Sequence, residues 1–147
     1  IAAHAASATA NSTVTILAPV TITKTADLVF GTVSAGTTAG TVVMSTAGAR
    51  SVTGGAVLSS TATGNAAAFN LTGNANSTYA ITLPTSTTLA GPGTSMTLNT
   101  FTSNPSTTGT FNGSGSATLA VGGTLAIGAN QTAGSYTGSF SVTVDYN

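Results

Sequence analysis

GSYTGSFSVTVDYN, residues 134–147, reads as one strand. Tyr136, Phe140, Val142, Val144 and Tyr146 alternate with Ser135, Thr137, Ser139, Ser141, Thr143 and Asp145. A period of two puts the apolar set on one face and the hydroxyls on the other. In a sandwich such a core-facing strand normally has a hairpin partner on each side. Nothing in the chain follows this one, so its second edge is expected to offer unpaired N–H and C=O groups to another strand.

Upstream the pattern repeats in shorter pieces. Apolar residues are β-branched or alternate, and Gly, Thr and Ser interrupt every ten or so positions, so an all-β protein is expected. The expected strands are Val14–Ile22 (kinked at Pro19), Leu28–Gly31 with Leu28 and Phe30 inward, 41–45, 55–59, 67–72, 79–83, 96–101, 117–121, 124–127 and the terminal run. Short strands at this spacing predict a β-sandwich or barrel. Gly122-Gly123, between two apolar runs, is read as a hairpin turn.

The first thirteen residues differ. They are rich in alanine and too small to build a core, so residues 1–13 are read as an N-terminal extension and 14–147 as a single domain. With period two, Ala6, Ala8, Ala10, Ser12 and Val14 share one face, continued by Ile16. Such a stretch can lie as a strand in a groove, or fold back as the first strand of its own sheet. Twelve residues reach about 40 Å when extended.

Composition narrows the function. At 147 residues the chain is long enough for one domain with a real core. Charged residues make up 3% of it, against roughly 25% in ordinary globular chains, and the net charge is +0. Hydroxyls and amides therefore keep it in solution, and copies do not repel one another. Lys24 and Arg50 are the only permanent cations, too few to neutralise phosphates, so no nucleic-acid or anionic-membrane partner is expected. No apolar run reaches the roughly 18–20 residues of a membrane span. The Thr, Ser, Gly and Ala excess points to a secreted surface protein whose signal peptide has been removed.

Catalysis is not expected. There is one His, no Cys and no Glu, and the carboxylates are Asp27 and Asp145. A Ser-His-Asp device would have to use His4 in the tail, which cannot hold a base in place. Zinc, iron and calcium sites need more His, Cys or carboxylate ligands than the chain has, so neither metal nor cofactor is expected. Lys24 is read as an edge-strand gatekeeper rather than as a partner in a Lys–Asn crosslink.

The tail, the Leu28-Val29-Phe30-Gly31 strand and the terminal alternation, with Gly134 and Tyr146 in the matching places, resemble bacterial chaperone-usher-type pilins. Leu28–Gly31, Tyr79–Pro84 and Val121–Leu125 also resemble motifs of a secreted family called domain of unknown function 4402, akin to the spore coat U domain. The pilin resemblance implies an immunoglobulin-like sandwich lacking one strand, completed by a donor strand from a neighbouring subunit. It implies the structural subunit of an extracellular filament on the bacterial surface, a head-to-tail homopolymer of identical subunits. A periplasmic chaperone and an outer-membrane usher would serve its assembly. The donor strand would be Ala6, Ala8, Ala10, Ser12 and Val14, and the acceptor groove Leu28, Phe30, Tyr136, Phe140, Val142, Val144 and Tyr146. Other readings are a surface adhesin or carbohydrate-binding module, which the lack of Trp disfavours, and an ice-binding Thr face, which lacks a regular repeat.

Overall fold

A computed structural model describes residues 3–147. Its described residues form an all-β architecture without helices. In chain order the strands are β1 (Thr21–Ala26), β2 (Val33–Ser34), β3 (Gly40–Met44), β4 (Arg50–Gly54), β5 (Val57–Leu58) and β6 (Ala67–Thr72). They continue with β7 (Thr78–Thr82), β8 (Ser86–Leu89), β9 (Met96–Asn104), β10 (Thr108–Thr110), β11 (Ser116–Ile127) and β12 (Thr143–Tyr146). All pairings are antiparallel. A seven-stranded sheet curls into a half-barrel, and a β10-β7-β12 sheet and the short β2-β5 pair complete the fold.

β11 is the spine. Along one edge its first half, Ser116 to Val121, pairs with β6, and its second half, Gly123 to Ile127, pairs with β3. β9 runs along the opposite edge, with a register shift between Gly122 and Thr124. The expected hairpin at Gly122-Gly123 is therefore absent, and the two glycines lie inside one continuous strand. They serve close approach rather than a turn: a Cβ at Gly122 would stand 2.1 Å from the Met44 carbonyl oxygen. Glycine lets the strand pass β3 at the bulge where it changes partners. Through this bend Leu119, Val121, Leu125 and Ile127 all stay buried.

The core has two adjoining clusters. One gathers Phe30, Val42, Met44, Met96, Leu98, Leu125 and Ile127, the other Leu71, Tyr79, Phe111, Leu119, Val121 and Val144. Leu28, Phe101 and Phe140 pack against both, and the last two rings stack at 4.9 Å.

Three further expectations change. The strand expected over Val14–Ile22 begins only at Thr21, because residues 3–19 have no sheet partner and are exposed. The terminal run has a regular ladder only at β12. Before that it touches a neighbour at the Ala90–Thr137 bridge and where Thr87 Oγ1 donates to the Ser139 carbonyl. The 28–31 segment is likewise a single bridge, Val29 to Asn65, although Phe30 is buried and Leu28 half-buried as expected.

Replacing Gly122 with alanine is expected to cost about 1–3 kcal/mol, as overpacking against fixed backbone does, measured by urea unfolding. A change within experimental scatter would remove the close-approach account. Burial pushes the Tyr79 phenol above its ordinary value. Its stabilising effect is therefore complete below the unfolded phenol value of about 10 and is lost as pH rises through the folded one. Tyr79→Phe should flatten the alkaline limb of a stability profile, and an unaltered limb would count against this.

Candidate functional site: an open apolar groove

β1 ends its sheet, pairing only with β6, and β12 ends the three-stranded sheet, pairing only with β7. Ile22 on β1 lies directly across from Leu71 and so shares its face. Leu71 is 1% exposed, yet Ile22 is 37% exposed. The inward face of β1 thus lacks a cover that the next strand has. Lys24, across from Phe69, starts from that same face, and its Nζ donates to Asp27 Oδ1 at 2.6 Å. A charge at an inward position of an edge strand opposes indiscriminate pairing.

Beyond β1 the chain forms one wall of a groove of about 940 Å³. This wall is residues 28–35, the opposite wall is 132–140, and Leu89, Met96, Leu98, Leu125 and Ile127 line the space between them. Each wall is held by backbone bonds. On the first, Val29 exchanges backbone bonds with Asn65, and Thr32 bonds Ala62 and Ser59. On the second, Thr137 exchanges both of its bonds with Ala90.

Arg50 fixes the first wall. Its guanidinium donates to the carbonyls of Phe30 (2.9 Å), Thr32 (3.2 Å) and Ser59 (2.8 Å), tying the wall and the 59–65 segment to β4. The planar fork of five donors suits three carbonyls at once. On the second wall the Tyr136 hydroxyl donates to the Thr132 carbonyl and accepts from Gln131 Nε2 at 3.0 Å, closing that end of the loop.

Four of the seven residues expected to form the acceptor wall line this groove together: Leu28, Phe30, Tyr136 and Phe140. Val142, Val144 and Tyr146 pack in the adjoining cluster with Phe111 and Leu71. The residues between the walls were not singled out beforehand. Leu98, Leu125 and Ile127 were readable as inward strand positions, but the sequence did not mark them as bordering an open space.

The donor candidates Ala6, Ala8, Ala10, Ser12 and Val14 are all exposed, outside any strand of their own domain. Val14 and Ile16 are 80% and 82% exposed, the most exposed of the large apolar side chains among the described residues. The tail meets the domain at Ala18, whose carbonyl accepts a bond from the Tyr146 hydroxyl, and at Val20, which packs on the second cluster.

Fold and site together define an all-β domain with an open, strand-lined apolar groove and an extended apolar tail. The family model described as Domain of unknown function (DUF4402) matches residues 20–146, and the chain belongs to that family. The match begins where the exposed tail ends. No curated protein and no solved structure matches the chain.

Arg50→Ala should lower stability by about 2 kcal/mol, in the range for charged hydrogen bonds to buried partners. It should also raise hydrogen exchange at Phe30–Val33, with Arg50→Lys restoring only part. Unchanged protection of those amides would show that the wall holds itself.

Proposed function

We propose that this protein is the structural subunit of a secreted, extracellular filament, assembled when the tail of one copy fills the groove of the next. In this reading the domain is an immunoglobulin-like sandwich short of one strand. The missing strand is residues 6–16 of a neighbouring copy. During export a periplasmic chaperone lends a strand and an outer-membrane usher presides over the exchange, as in the pilins that the chain resembles.

The observation that carries the reading is the tail. It leaves Val14 and Ile16 in water and takes no part in its own sheet, although an apolar groove stands open in the same molecule. No charged residue lines the groove and none occurs in residues 6–16, so no buried charge opposes their union. A strand laid between the two walls would cover their apolar side chains and pair with the backbone groups they leave open, the mode of recognition known as strand addition. Because donor and acceptor are different surfaces, the contact does not close and propagates as a fibre.

Magnitudes rank the donor positions. Full burial contributes about 1.5–3 kcal/mol for a Val or Ile, but only about 0.8 kcal/mol for a methyl-sized group. Val14 and Ile16 together therefore outweigh Ala6, Ala8 and Ala10. The larger residues are the ones that would gain most against Leu98, Leu125 and Ile127.

Native material should run as a ladder on gels in SDS until boiled, and show regular fibres by electron microscopy. The Val14→Asp/Ile16→Asp double variant should give folded protein without ladder or fibre, and Ala8→Trp a marked reduction. Ladders that persist in the double variant would refute strand donation by this segment.

A further inference from the structure

We propose that Tyr146 is an exit clamp that holds the root of the tail away from its own groove, so that strand donation goes to another copy. The inference rests on the strand-donation reading and adds a cause for its direction.

The tail and its own groove are joined by a short linker, and that creates a competition. Residues 6–16 lie only a few positions before β1, so a reversal at Ala18-Pro19 would lay the tail alongside its own wall. An intramolecular partner is favoured by a high effective concentration. A subunit that fills itself cannot polymerise. Something must disfavour that turn, and the structure has a specific contact where it would have to occur.

The contact is a bridge through one hydroxyl. Tyr146 Oη accepts from the Asn74 backbone N–H at 2.7 Å and donates to the Ala18 carbonyl. Its ring is held edge-on against Phe111, with centroids 6.2 Å apart, and Phe111 itself is 1% exposed. The hydroxyl therefore sits at the end of a side chain anchored in the core. Asn74 is fixed in turn, its Nδ2 donating to Ser77 Oγ at 3.1 Å. Beside the clamped carbonyl, Pro19 restricts the backbone and has no N–H for a hairpin ladder. Val20 then enters the second cluster. The last residues of the tail are thus tied to the C-terminal strand, while residues 3–17 remain exposed. Packing alone would need only a ring at position 146. The hydroxyl is what reaches the tail.

The chain has no cysteine, so a pair introduced by Ser12→Cys and Ser60→Cys carries spin labels at two known places. Ser60 is exposed on the segment that backs the 28–35 wall. Residue 12 is about 20 Å of extended chain from Ala18, and a self-filled groove would bring it near that wall. Pulsed electron paramagnetic resonance, with labelled full-length chain diluted into an excess of unlabelled chain, reads the distance within one molecule.

The clamp predicts a long-distance population in the otherwise native sequence. Tyr146→Phe keeps the ring, and it should add a short-distance population and raise the monomer fraction severalfold on native gels. Pro19→Gly changes an exposed residue, so it loosens the same exit without touching the core, and it should act in the same direction. Distances unchanged by both substitutions would overturn the clamp while leaving strand donation standing. A chain whose native sequence never polymerises, but whose distances shift in Tyr146→Phe, would retain the clamp and sink strand donation instead.

Discussion

An apolar groove left open between residues 28–35 and 132–140 is the constraint on which the rest of this structure turns. A β edge exposes backbone donors and acceptors at fixed spacing, and an uncovered inward face exposes apolar side chains as well. Here the apolar side chains of the groove are open, and β1 and β12 are free edges elsewhere on the same domain. The walls at 28–35 and 132–140 are held by backbone bonds to 59–65 and to Ala90, and Leu98, Leu125 and Ile127 line the space between them. The groove is lined by apolar and uncharged polar side chains, with no charged residue among them.

The remainder of the fold holds that site open. β11 supplies a twelve-residue spine, and Gly122 lets it bend past Met44 while changing partners from β6 to β3. The bend joins the two clusters into a continuous apolar surface, part of which borders the groove. Arg50 braces one wall through three carbonyls, with no carboxylate among the partners of its guanidinium. Lys24 and Asp27 form an exposed ion pair at the free edge strand β1. Such a pair is worth little to stability, but a charge there opposes indiscriminate pairing. In a chain with 3% charged residues, each of these charges has a structural position of its own.

Much of the fold was legible in the residues. The strand at 67–72 falls where alternation placed it, and those at 41–45 and 79–83 within a residue or so of it, because their side chains face a core on one side. β4 (RSVTG) and β8 (STTL) escaped notice: each pairs on one side only and carries too few apolar residues to show a period. The glycine pair at 122–123 misled for a different reason. Its composition says turn, yet the alternation of Leu119, Val121, Leu125 and Ile127 runs through it unbroken, and that parity was the better signal. Half of the groove was readable from the terminal alternation and from Leu28 and Phe30. The rest depends on which inward faces stay uncovered, a property of topology that no local pattern records. The exposed reach of the tail to Pro19, and the bond from Tyr146 to Ala18, are long-range facts of the same kind.

The central claim is that residues 6–16 of one copy occupy the groove of another, and electron cryomicroscopy of the assembled fibre tests it most directly. The account predicts continuous density for the tail between the 28–35 and 132–140 walls of the neighbouring subunit, with Val14 and Ile16 directed toward Leu98 and Leu125. A tail traced into the groove of its own subunit, or fibres in which the groove stays empty, would contradict it.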